Sequence, residues 1–211
     1  MSASSIAAVR QLFPSTLRLL EPADFTPAVE AQSWCFSQVQ GRLVELSGQG
    51  AMGTLCMAMQ LVADAQRRGE NVAWLSATAT GTHFFPPDAA RSGVDLNALV
   101  VVRATHANVT KGARTPVQIA GRAATHLLRS GAFGLVVFDL GAEASMPTPL
   151  QSRLVGLAQH HGAAVVCVTS KASESPSLGS LISLRGEARR ERLMDGTLRV
   201  TFEVIKDKRR G

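Results

Sequence analysis

Short, continuous runs of apolar residues alternate along most of this chain with stretches whose apolar positions recur every three or four residues. "GRLVELSG" (41–48) reads as a strand, with Leu43 and Glu45 alternating with Val44 and Leu46, and "NVAWLSA" (71–77), "ALVVVRA" (98–104), "FGLVVFDL" (133–140) and "AAVVCVTS" (163–170) read as strands of a sheet covered on both faces. Between them, "TLCMAMQLVADAQRRG" places Leu55, Met59 and Val62 on one helical face, with Arg67 and Arg68 in the last turn and Gly69 as the terminator. Two more helices are predicted, from about Pro116 to Arg129 and from about Pro149 to His160. Strands that alternate with amphipathic helices predict an α/β fold with a mainly parallel sheet covered by helices.

Both ends depart from that rhythm. Near the start, Ile6, Val9, Leu12 and Phe13 fall at helical spacing behind a Ser4 cap, predicting a short amphipathic helix. Pro14, Pro22 and Pro27 then break the chain into a linker, so we expect residues 1–40 to form a helix and linker and 41–211 the core domain. At the other end, "LISLRGEARRERL" and "GTLRVTFEVIKDK" flank Asp195-Gly196, which predicts an antiparallel β-hairpin.

Composition narrows the class. At 211 residues and 45% hydrophobic content, one core is expected. No apolar run approaches the ~18 residues of a membrane span, and "MSASSIAAVRQLF" lacks a basic start and a long apolar segment, so a cytoplasmic location is expected. Cys35, Cys56 and Cys167 are widely separated and lie outside any metal-ligand spacing; we read them as buried hydrophobes, with neither metal nor cofactor implied. His160 and His161 sit at a helix end, where imidazoles suit the negative end of the dipole.

The net charge of +6 is unevenly placed. From Arg185 to Gly211 nine Lys or Arg face five acids, and between Asp95 and Asp139 five cations stand with no acid at all. Two basic zones on a modestly charged body suit nucleic acid or an acidic protein surface, and solvated surface is the plainer alternative for each.

The chemistry turns on "GQGAMGTL" (48–55), which lies between a strand and a helix. A phosphate-binding loop requires Gly, four residues, Gly, then Lys and Ser or Thr. Gly48 and Gly53 keep that spacing, but Thr54 and Leu55 stand where the lysine and the magnesium-binding hydroxyl belong. Each missing charge-assisted contact removes roughly 1.5–3 kcal/mol of binding. Backbone N–H groups at the helix start still suit an anion; alternatively, the glycines serve only a tight strand-to-helix turn. Asp139 ends an apolar strand as a magnesium-supporting Asp does, whereas the stretch Ser76–Thr80 that would carry a water-activating acid has none. An inactive nucleotide fold is expected.

Taken in order, "GRLVELSGQGAMGTLCMAMQLVADAQRRGENVAWLSA", "RSGVDLNALVVVRA", "GAFGLVVFDLG" and "ISLRGEARRERLMDGTLRVTFEVIKDKRRG" resemble the cores of RecA-type ATPases over roughly 41–211. Within that superfamily the degenerate loop, the compact length and the ending "KDKRRG" look most like the ImuA family, RecA-like accessory proteins of bacterial damage-induced mutagenesis. The resemblance implies a RecA-like P-loop fold without ATPase activity. It also implies an adaptor role in SOS mutagenesis and translesion synthesis, with RecA, ImuB and an error-prone DNA polymerase as partners. Lys206 and Lys208 of "KDK" match two RecA lysines that reach a neighbouring subunit's nucleotide, which implies contact with a neighbouring RecA.

"FTPA" resembles the Phe-x-x-Ala self-association segment of RecA-like recombinases, so oligomer formation or partner docking through Phe25 and Ala28, together with Ile6, Val9 and Phe13, is implied. The places of RecA's DNA-binding loops hold only "GAEASMPTPL" and "KASESPSLGS". DNA contact is therefore expected from Arg185, Arg189, Arg190, Arg192, Arg209 and Arg210, through phosphates and without base specificity. A SulA-like inhibitor of cell division, an ATP-dependent recombination protein and a stand-alone DNA-binding protein are the alternatives.

Overall fold

The computed structural model describes residues 34–49, 53–77, 84–104, 115–141, 144–196 and 198–209. The N-terminal segment with Ile6, Val9, Phe13, Phe25 and Ala28 lies outside these, as do Arg210 and residues 50–52 of the glycine loop.

Seven strands form one sheet: β1 (Leu43–Ser47), β2 (Asn71–Ser76), β3 (Leu99–Arg103), β4 (Phe133–Gly141), β5 (Ala164–Thr169), β6 (Leu184–Arg192) and β7 (Leu198–Asp207). Their spatial order is β3-β2-β4-β5-β1-β6-β7. The first six run parallel, and β7 returns antiparallel to β6 as the expected hairpin, turning at Gly196 with φ +84°. Because six strands point one way, the segments that follow β1, β2, β4 and β5 all leave from one edge, the carboxyl edge.

The helices are α1 (Phe36–Val39), α2 (Thr54–Arg67), α3 (Pro86–Arg91), α4 (Pro116–Arg129) and α5 (Thr148–His161), with a 3-10 turn at Leu96–Ala98. Alternation along the strands splits the core between the two faces of the sheet. Val44, Leu46, Val72, Trp74, Leu135 and Val137 pack with α1, α2 and α3; Leu43, Ala73, Leu75, Val136 and Phe138 pack with α4 and α5.

Helix boundaries follow local chemistry. At the end of α2 the Glu70 N–H bonds to the Ala65 carbonyl and the Gly69 N–H to that of Gln66, a closure that Gly69 permits with φ +82°. Thr115 and Gln118 form a reciprocal capping box ahead of Pro116 at the start of α4.

Four expectations change. Trp34, Phe36 and Val39 are buried, so the packed body already includes residues assigned above to the linker. The short α3 and the 3-10 turn were not predicted; Pro86 and Pro87 support the first turn of α3. Leu55 is exposed whereas Met59 and Val62 are buried, because it lies on the first turn of α2, beyond the strand ends. Cys56, on the same turn, is exposed as well; Cys35 is half-buried and only Cys167 is fully buried. No helix among the described residues is long and apolar enough to cross a membrane.

Candidate functional site

The glycine loop leaves β1 at the carboxyl edge, between β5 and β6. Gly48 is buried and donates its N–H to the Thr169 carbonyl, 3.2 Å away on β5. Gly53 enters α2 in the left-handed region, φ +84°, and its carbonyl accepts the first helical bond from Met57 at 3.0 Å. A side chain at Gly53 would lie 2.8 Å from Val200 Cγ1, so the returning strand of the hairpin lies directly on the start of the helix. The Thr54 hydroxyl is buried without a hydrogen-bond partner, and Leu55 projects outward beside it.

Asp139 is 1% exposed on β4, in register with Ser76 of β2 and Val168 of β5. The fold thus brings it to the same edge as Gly48, two strands away from β1. Ser47, Ser76, Thr169 and Glu187, which is in register with Ser47, are also buried polar side chains along this edge. Ser47 Oγ donates to the Gly186 carbonyl at 3.3 Å, and the Ser76 hydroxyl has no hydrogen-bond partner.

Sequence reasoning missed Glu45. It is wholly buried in β1, where its carboxylate accepts the Leu178 N–H at 2.9 Å and the Thr169 hydroxyl at 3.2 Å. Lys171 Nζ lies 3.4 Å and Arg185 Nε 3.8 Å from it. The signal was available: an acid inside "LVELS", a strand of a sheet expected to be covered on both faces, demands cations.

This network corrects one expectation. Arg185 was assigned to an exposed basic face, yet it is 3% exposed and donates to the Ala172 carbonyl at 2.9 Å and to the Ser175 carbonyl. Its cation is committed to Glu45 because β6 lies against β1 there, so it is not available to phosphates.

The remaining basic residues separate into two groups. At the carboxyl edge, Arg190 and Arg192 are exposed, with no ion pair to any described residue, whereas Arg189 is bonded to Glu203 at 2.7 Å and Glu187 at 3.2 Å. At the opposite edge, Lys208 donates to the Ser180 carbonyl, Arg209 reaches the Gln40 carbonyl at 3.4 Å, and half-buried Lys206 stands opposite Arg185. The Lys208 N–H bonds to Ser183, whose own N–H bonds to Leu43, so Lys208 is level with the start of β1. Gly48 is five residues further along, about 16 Å at strand rise. Lys208 therefore lies beyond reach of its own glycine loop.

A packed seam joins hairpin and helix. The Trp34 indole N–H donates to the Met57 carbonyl at 2.9 Å, and its ring lies 4.4 Å from that of Phe202. Phe202 in turn covers Gly186, where any side chain would overlap its ring.

A mainly parallel sheet flanked by helices, a glycine loop after its first strand and an antiparallel hairpin at its end define an α/β fold. No protein-family model matches the chain. The chain is similar to curated RecA proteins: 36% identity to that of Nocardioides sp. over 47% of this chain and 25% of the relative, and 31% to that of Chlorobium limicola over 56% and 31%. The RecA of Thermotoga petrophila is 27% identical over 66% of this chain and 40% of its own length. These matches support a place in the RecA-like superfamily. The chain spans a quarter to two-fifths of the length of the curated relatives it matches.

Proposed function

We propose that this chain is a catalytically silent RecA-like adaptor of the ImuA kind, serving DNA-damage-induced mutagenesis and translesion synthesis by binding RecA, ImuB or both. The observation that carries the reading is the start of α2. Thr54 and Leu55 replace the ammonium and hydroxyl that would hold a magnesium-bound triphosphate, and Val200 packs against Gly53 beside them. A preorganised donor of this kind is typically worth about 100- to 1000-fold in rate. The RecA similarity supports a role in DNA transactions, and an adaptor is the role that survives loss of turnover.

Lys206 and Lys208 supply the proposed contact with a neighbouring RecA. Lys208 lies too far from this chain's own loop to serve it, and it stands at the edge of the sheet where the basic exit segment leaves. Affinity capture from DNA-damaged cells tests the reading, with RecA or ImuB as the expected partner and weaker RecA recovery by the Lys206→Ala, Lys208→Ala variant. Recovery of the cell-division protein FtsZ in their place, or ATP turnover abolished by Asp139→Ala, overturns it.

A further inference from the structure

On the face of the sheet opposite α2, the two helices α4 and α5 enclose a groove of about 490 Å³. One wall is a single stripe of α4 (Gln118, Gly121, Arg122, Thr125, His126 and Arg129); the other is the Pro147 cap of α5 with Pro149, Leu150 and Arg153. The helices meet closely at its floor, where a side chain at Gly121 would lie 2.5 Å from Leu150. Thr125 turns its hydroxyl inward to the Gly121 carbonyl at 2.8 Å.

The charge of this groove has one sign. Arg122, Arg129 and Arg153 are exposed, and none of them forms an ion pair or hydrogen bond with another described residue. Neither α4 nor α5 contains a single Asp or Glu, although between them they carry three Arg and three His. Surface helices ordinarily interleave opposite charges three or four residues apart, and like charges left unmatched are destabilising. Here His126 sits four residues beyond Arg122, and Arg129 follows it by three. Three unpaired guanidinium forks converging on one concave surface are built for anions.

We infer that the α4–α5 groove binds the phosphodiester backbone of a nucleic-acid strand, at a site separate from the basic hairpin. Arg122 and Arg129 are seven residues apart, about 10.5 Å along the helix, which corresponds to roughly three base-pair rises along the axis of a duplex. Gln118 adds the kind of polar side chain that supplements arginine at phosphates and sugars. An acidic protein partner is the competing occupant. Protein interfaces draw their affinity from buried aromatic and aliphatic anchors, and this groove offers only Pro147, Pro149 and Leu150 as apolar anchors, with no Phe, Trp or Tyr in its lining.

The test measures fluorescence anisotropy of a labelled 20-mer, single-stranded and duplex, against salt, using the full chain and two triple variants. One carries Arg122→Gln, Arg129→Gln and Arg153→Gln; the other carries Arg189→Gln, Arg190→Gln and Arg192→Gln. Each phosphate contact contributes about 0.7 (single strand) or 0.9 (duplex) to the slope of log affinity against log salt. The groove variant should lower the magnitude of that slope by about 2 to 3, keep its melting temperature, and retain the dependence that the hairpin arginines confer. Polyglutamate should compete poorly. An unchanged slope in the groove variant, absence of oligonucleotide binding by the unmodified chain, or preferential binding of polyglutamate each overturns the inference.

Discussion

Replacing Glu45 by alanine should be among the most damaging single changes in this protein. The carboxylate is wholly buried in β1 and connects that strand to β5 through Thr169, to β6 through Arg185 and to the segment between them through Lys171 and Leu178. Its removal leaves the part-buried Leu178 bond unmade and, more seriously, strands the Arg185 cation at 4% side-chain exposure. Removing one partner of a buried pair costs about 3–5 kcal/mol, because the other charge is left uncompensated. Lys171, less deeply enclosed, can turn toward water and adds little.

Against a typical total of ~5–15 kcal/mol, that loss is a large fraction. At about 2–4 °C per kcal/mol for a chain of this size, scanning calorimetry should show the midpoint falling by about 6–20 °C. The variant Glu45→Leu, Arg185→Met separates the causes: removing both charges and filling the volume should recover most of the loss, as apolar replacements of buried pairs commonly do. A fall of less than ~2 °C in Glu45→Ala, or a double variant as unstable as the sum of its single changes, would refute the assignment of the stability to this pair.

Two further perturbations probe the seam between hairpin and helix. Gly53→Ala introduces a side chain at φ +84° and 2.8 Å from Val200; left-handed backbone costs about 1–2 kcal/mol and overpacking about 1–3. The melting temperature should fall, and adding Val200→Ala should restore only the overpacking share; full restoration or none contradicts the geometry. Although Cys56 is exposed at the surface, the atoms packed around the first turn of α2 partly desolvate its thiol and push it up, and the positive charge of Arg190 opposes that rise. In a Cys35→Ser background, iodoacetamide should therefore label Cys56 over a higher pH range than a free thiol, and Arg190→Gln should move the profile higher still. An unshifted profile in that variant would show that the hairpin does not stand over the helix start.

Much of this architecture was legible in the sequence because β2, β4 and β5 are buried on both faces, whereas β3, expected to be buried as well, is half-buried to exposed because it forms the edge of the sheet. Continuous apolar runs such as "FGLVVFDL" have no other stable setting, and Gly69, Thr115 with Gln118, and Asp195-Gly196 mark their boundaries by local backbone chemistry. Long-range pairing was not legible. Arg185 and Arg190 belong to the same basic run, yet one is buried against Glu45 and the other is exposed, because β1 accepts β6 as a neighbour only as far as Glu187. Val200 against Gly53 and Trp34 against Phe202 likewise join positions far apart in the chain, which periodicity cannot see. The α4–α5 groove was half visible: the acid-free interval was plain, but that two helices bring its arginines into one concavity depends on the close approach at Gly121.

The placement of charge bears on how an adaptor without turnover would work. Among the described residues, exposed cations without an ion pair include Arg190 and Arg192 at the carboxyl edge, Lys208 and Arg209 at the opposite edge, and the arginines of the α4–α5 groove on one face. A nucleotide-driven machine couples such surfaces by moving them when phosphate is gained or lost. Here the start of α2 is packed under Val200, and Trp34 fastens the same helix to Phe202 of the hairpin, so hairpin and helix form one body. In the proposed adaptor, rigid spacing would replace switching, with partners bound at opposite edges held at a fixed separation set by the length of the sheet. Under the proposed function, that spacing, rather than a cycle of ATP, is what the fold contributes to assembly at damaged DNA.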